Sequence, residues 1–127
     1  MSRRVVVTGV GLVTPLGIGV EKGWKNICAG VSGIKTITRF DTSDSPVKIA
    51  GEIQDFEVTN YLDKKTAKHI DLFAQYGLAA SIEAMEDSGF VVTEENAQRT
   101  GVITGCGMGG LPTIEKYHRV LFERGPR

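Results

Sequence analysis

The sequence predicts an α/β fold, and three observations carry that prediction. Two short runs, "RVVVTGV" at 4–10 and "GVITG" at 101–105, are β-rich and continuous rather than alternating, as strands covered on both faces are. Segments with apolar residues at helical spacing follow each of them. Glycines break the chain after each run. The resulting order is strand, helix, excursion, helix, strand, helix, the order of parallel crossovers with helices laid over a sheet.

The first run ends in "GLVTPLG", where two glycines and a proline break the strand. Residues 20–28 read as a short helix with Val20, Trp24, Ile27 and Cys28 on one side, and Gly30 is its stop. Residues 32–70 form a long excursion with Pro46, several turn formers and one or two short strands such as "KIAGEI". Excursions of this length usually cap a site or reach into an interface. Asp63 is placed to cap the basic helix "DKKTAKHI", and Asp71 to cap a longer one, "LFAQYGLAASIEAMEDSG", which Gly89 ends. Phe73, Tyr76, Gly77, Ala80 and Ala84 form a stripe on that helix whose small centre permits a close approach. "TEENAQRT" makes a turn before the second strand. "LPTIEKYHRVLFE" reads as the last helix, with Pro112 in its first turn and Leu111, Ile114, Tyr117, His118 and Leu121 on one face. Two strands make a thin sheet with open edges, and Gly125-Pro126 launches a loop at the very end. Both features predict a piece of a longer chain.

The 127 residues suffice for one modest core. Fifteen basic residues balance fifteen acidic ones, with no polybasic tail, so nothing global points to nucleic acid. No apolar run approaches a membrane span. Two cysteines without a secretion signal predict free thiols and a cytoplasmic protein.

"GCGMGG" at 105–110 satisfies the G-x-G-x-x-G spacing, and "GVGLVT" at 9–14 has its first two glycines. A dinucleotide site also needs a helix opening at the loop and an acidic residue near the end of the next strand. Neither loop supplies both, so tight turns and close backbone approach are the simpler reading, and a dinucleotide-dependent oxidoreductase is the weaker alternative. Cys28 falls on an apolar helix face and reads as core. Cys106 sits between a strand and a helix, where a nucleophile is sometimes exposed, but only His69 and His118 are available as bases. The cysteines and histidines lack metal-ligand spacing. Glu83, Glu86 and Asp87 read as a solvated face, as do Lys64, Lys65 and Lys68 by default. The three lysines nevertheless form a compact positive group suited to an acidic partner.

As a set, the segments say more. "RRVVVTGVGLVTPLG", "GWKNICAGVSGI", "ITRFD", "IAGEI", "DLFAQYGLAASIEAMEDSG" and "EENAQRTGVITGCGMGGLPTIE" resemble, in order, the opening of a β-ketoacyl-[acyl-carrier-protein] synthase of the bacterial type II elongating kind. The resemblance covers essentially the whole chain. It implies a thiolase-like fold, with α-β-α-β-α layers in the full enzyme, of which residues 1–127 are an incomplete N-terminal part. It implies a homodimer without cofactor or metal, whose partners are acyl carrier protein and its acyl and malonyl thioesters. The family's nucleophilic cysteine and catalytic histidines come after the matched region, so the resemblance assigns this segment no catalytic residue and predicts it to be inactive alone. It assigns Met108 to the wall of the acyl tunnel, although ordinary packing would explain the residue by itself. It assigns Lys64, Lys65 and Lys68, approximately, to a carrier-protein docking patch. A non-catalytic module that binds carrier protein or an acyl chain, like the chain-length factors, is the main alternative.

Overall fold

The computed structural model describes residues 3–126. They fall into two compact units, Met1–Glu57 with Ala79–Phe90, and Val58–Leu78 with Val91–Arg127. The division between the units falls within the 32–70 excursion, after Glu57.

In the first unit, β1 (Val13–Thr14) and β2 (Gly17–Ile18) pair antiparallel, Val13 opposite Ile18 and Thr14 opposite Gly17. Pro15 and Leu16 make the turn, which Thr14 braces. Its hydroxyl accepts the Leu16 N–H and donates to the Gly17 carbonyl, both at 3.2 Å. The "TPLG" breaker is thus a miniature hairpin. Helix α1 (Val20–Cys28) follows with the predicted bounds. It ends at Gly30, whose φ of 68° lets the Gly30 N–H reach the Ile27 carbonyl and the Val31 N–H reach the Asn26 carbonyl, each at 3.0 Å. This Schellman pair satisfies two of the carbonyls that a helix end leaves open. Next come β3 (Ile34–Thr36) and β4 (Ile49–Gly51), antiparallel with Lys35 opposite Ala50. The Glu52 carboxylate, directly after β4, accepts from the Thr38 hydroxyl at 2.7 Å and from the Arg39 N–H at 3.2 Å.

In the second unit, a single 3-10 turn at Val58–Asn60 leads to α2 (Lys64–Ala67). Asp63 caps α2 as predicted: its carboxylate accepts the N–H groups of Lys65 at 2.9 Å and Thr66 at 3.0 Å. The long helix α3 (Leu72–Ser88) starts in this unit, and its residues from Ala79 onward belong to the first. The short α4 (Glu94–Ala97) opens with the Thr93 N–H donating to the Asn96 side chain at 2.8 Å. Helix α5 (Leu111–Arg124) carries Pro112 in its first turn, and Gly125 follows it with φ of 72°.

Two predicted strands are absent from the observed ladders. Residues 4–10 and 101–105 carry no strand pairing, and the ladders among the described residues are antiparallel hairpins rather than parallel crossovers. A strand is a pairing state, and neither run has a second backbone to bond among the described residues. Val5 is 88% and Ile103 100% exposed, so the apolar character that predicted burial is intact but uncovered. Ala79, 1% exposed, is the one buried apolar side chain among the described residues. Cys28, predicted in the core, is exposed, as are Trp24 and Ile27 on the same helix.

Candidate functional site

The first glycine loop is bonded to the protein's own carboxylates through its main chain, and the second lies against one. In loop 9–14 the backbone lies directly on α3. A Cβ on Gly11 would overlap the Ala80 carbonyl oxygen, and one on Gly9 would overlap that of Ala84, so only glycine allows this crossing. The small stripe predicted on α3 is what the loop crosses. Beside it, the Glu83 carboxylate accepts the Leu12 N–H on one oxygen and the Val20 N–H on the other, both at 2.8 Å. Asp87, one turn further along, accepts the Val10 N–H at 2.9 Å.

Val20 is the first residue of α1, and the N-cap Gly19 brings no side chain to it. Glu83 therefore places a negative charge at the positive end of that helix. A bound phosphate would need these same N–H groups. Glu83, half-buried, is thus not the solvated face that the sequence suggested, while Asp87 is exposed as expected but bonded to the loop. Their sequence signal was their place beside the Ala80–Ala84 stripe, on a helix facing a glycine loop.

Loop 105–110 is held differently. The Gly109 N–H donates to Cys106 Sγ at 3.0 Å, and Gly109 has φ of 68°. Helix α5 starts directly after Gly110. At this start stands Asp71, whose carboxylate accepts the Thr113 hydroxyl. A Cβ on Gly110 would collide with that carboxylate. Asp71 was predicted to cap α3; its side chain instead reaches α5, while its carbonyl accepts the Ala74 and Gln75 N–H groups at 3.0 Å within α3. Cys106 serves as a turn acceptor. His118, the histidine that follows it in sequence, is packed against Phe122 with ring centroids 4.7 Å apart. Met108 lies inside the turn that the Gly109–Cys106 bond closes and is 70% exposed.

Lys64 and Lys65 are in α2, Lys68 directly follows it, and all three are exposed. Lys64 and Lys68 rim one shallow hollow with Val58, Thr59, Ala67 and Gln75, while Lys65 lies outside it. The spacing had put Lys64 and Lys68 on one side in the same way. Among the described residues none of the three ammonium groups has an ion-pair partner. The neighbouring Asp63 carboxyl is held below its ordinary value, first by the Thr66 hydroxyl and then by the Thr66 N–H. Among the described residues no cluster of His, Cys, Asp and Glu suits a metal ion. No helix there is long and apolar enough to cross a membrane.

The architecture is α/β of the thiolase-like kind. Two solved structures share it. One is described as the ishigamide ketosynthase/chain length factor, with a TM-score of 0.77 and 31% identity over 97% of this chain and 30% of that one. The other is a type II PKS acyl-carrier protein in complex with its ketosynthase bound to the hexaketide, with a TM-score of 0.76 and 29% identity over 98% of this chain and 33% of that one. The chain belongs to the β-ketoacyl synthase family, for the family model described as Beta-ketoacyl synthase, N-terminal domain, matches residues 2–125. Among curated relatives, 3-oxoacyl-[acyl-carrier-protein] synthase 2 of Vibrio harveyi is 51% identical over 99% of this chain. The protein of the same name from Vibrio cholerae serotype O1 is 52% identical over the same share. The chain spans 30% of the length of each.

Proposed function

We propose that this chain is the N-terminal part of a 3-oxoacyl-[acyl-carrier-protein] synthase that elongates fatty acids. The observation that carries the reading is the identity of 51% and 52%, over 99% of the chain, with two relatives of that name. In the whole enzyme a cysteine thiolate takes the acyl group from its carrier thioester and releases the carrier thiol. Malonyl carrier protein then loses carbon dioxide, and the electron pair left on carbon attacks the acyl-cysteine carbonyl. The carbon–sulfur bond breaks, the thiolate is regenerated, and a 3-oxoacyl thioester leaves. Donors around the enolate oxygen lower the barrier to decarboxylation. Those groups lie in the part of the family beyond the segment matched here. Residues 1–127 act as scaffold, incomplete on their own, with the excursion at 32–70 as an interface arm. The enzyme works as a cytoplasmic homodimer.

Two sites on this segment belong to the proposal. Lys64, Lys65 and Lys68 receive the acidic carrier protein. Three ammonium groups without internal partners, two of them on the rim of one hollow, support this reading. Met108 lines the acyl tunnel, and its exposure on a short pinned loop leaves it free to face a ligand.

The test is condensation by the full-length protein. It is expected to form 3-oxoacyl product from acyl and malonyl carrier protein, and residues 1–127 alone are expected to form none. Lys65→Glu is expected to raise KM for carrier protein at low salt, with the difference shrinking as salt is added. Equal KM values at low salt would remove the docking assignment.

The ketosynthase/chain length factor neighbour favours one second reading, a non-catalytic subunit that binds the same ligands. A full-length protein that binds acyl carrier protein but does not condense would decide for it.

A further inference from the structure

We propose that Asp71 is the positioning residue of the 105–110 loop, and that through this loop it sets where Met108 stands against the acyl chain. The second half of this statement rests on the tunnel reading above. The geometry of the second unit points to it. Met108 lies within a short turn with two fixings. In one, the Gly109 N–H bonds back to Cys106 Sγ at 3.0 Å. In the other, Gly110 lies so close to the Asp71 carboxylate that a Cβ would collide with it, and Thr113 in the first turn of α5 donates its hydroxyl to the same carboxylate.

Asp71 is itself a rigid post. Its carbonyl accepts the Ala74 and Gln75 N–H groups at 3.0 Å, which fixes its backbone at the start of α3. The Gln75 side-chain amide donates to the Ala67 and Ile70 carbonyls, both at 3.0 Å, and so holds the approach to Asp71 from the other side. The N-cap Gly110 has no side chain to satisfy the open N-terminus of α5. Asp71 brings a negative charge there from a distant part of the chain.

Hydrogen exchange followed by mass spectrometry on residues 101–110 of the full-length protein reads the loop directly. Thr113→Val removes the hydroxyl and keeps the shape, Thr113→Ser keeps the hydroxyl, and Asp71→Ala removes the acceptor. Loss of a hydrogen bond to a charged acceptor is expected to speed exchange of the loop amides about tenfold or more in Thr113→Val and Asp71→Ala. Thr113→Ser is expected to exchange like the wild type, and the double variant Asp71→Ala with Thr113→Val no faster than Asp71→Ala alone. Unchanged exchange in Thr113→Val, or equal loosening in Thr113→Ser, would overturn the positioning role.

The same variants are then assayed with short and long acyl primers beside Met108→Phe. Where Met108→Phe changes the ratio of kcat/KM between long and short primers, Thr113→Val must change it too, and a constant ratio overturns the link to Met108. Where Met108→Phe leaves the ratio constant, it is the tunnel reading that fails, and exchange alone judges Asp71.

Discussion

The two glycine loops solve one problem in two ways. Each opens after a β-rich run, and each places a carboxylate at the start of the helix that follows. At loop 9–14 the backbone itself is pressed onto α3, and the Glu83 and Asp87 carboxylates take three main-chain N–H groups. At loop 105–110 the contact runs through side chains: Asp71 takes one hydroxyl, and a thiol closes the turn. The first loop is held through its backbone, and the second, which carries Met108, through side chains.

The sharpest way to break this contrast is to put a methyl group into each loop of the full-length protein. Gly11→Ala sets a Cβ against the Ala80 carbonyl, a main-chain atom that cannot step aside. It is expected to cost about 3 kcal/mol or to prevent folding. Gly110→Ala sets the same atom against a carboxylate that can swing away. Its cost is expected near about 1 kcal/mol. Urea unfolding of both variants measures the difference, and equal losses would erase the distinction between the loops.

Removing one hydrogen-bonding partner at each loop tests it one level down. Glu83→Gln turns one of the two accepting oxygens into a donor facing an N–H group. It is expected to lower stability by about 1–3 kcal/mol, read from the shift in the urea midpoint at constant slope. Thr113→Val at the second loop is expected to cost less, about 1 kcal/mol, since the Asp71 carboxylate stays partly in contact with water. A larger loss at Thr113 than at Glu83 would reverse the expected order.

The smallest effect belongs to the cap of α2. The Asp63 carboxyl is lowered in the fold, chiefly by the Thr66 hydroxyl, so the charged form is the one the fold favours. Its contribution is fully present above the ordinary aspartate value of 3.8 and fades as pH falls through the lowered one. Asp63→Asn is expected to flatten the acid limb of the unfolding curve slightly below that pH, with no change at neutral pH beyond the altered cap. An unchanged acid limb would mean that the unfolded chain holds the same charge.

Local rules carried much of the fold. Helical spacing located α1, α3 and α5, Asp63 announced its cap, and Gly30 announced its turn, because each depends on neighbours a few residues away. The carboxylates of Glu83 and Asp71 escaped for the opposite reason. Their partners are 71 and 42 residues distant, and a lone acid on a helix reads as solvated until the loop opposite is known. The runs at 4–10 and 101–105 were read correctly for composition but not for state, since pairing is a property of two segments. Met108 was singled out by family resemblance alone, whereas Lys64, Lys65 and Lys68 stood out first as a compact positive group suited to an acidic partner, to which the resemblance added a docking role.

The carboxylate bonds of the first loop also order events in time. Val10, Leu12 and Val20 wait for acceptors 77, 71 and 63 residues further along the chain. During synthesis from the N-terminus, α1 and its hairpin emerge long before α3 exists. Closing loops of that length costs chain entropy that is recovered only when α3 docks. The N–H groups of Val10, Leu12 and Val20 therefore have no carboxylate acceptor until Glu83 and Asp87 have been made.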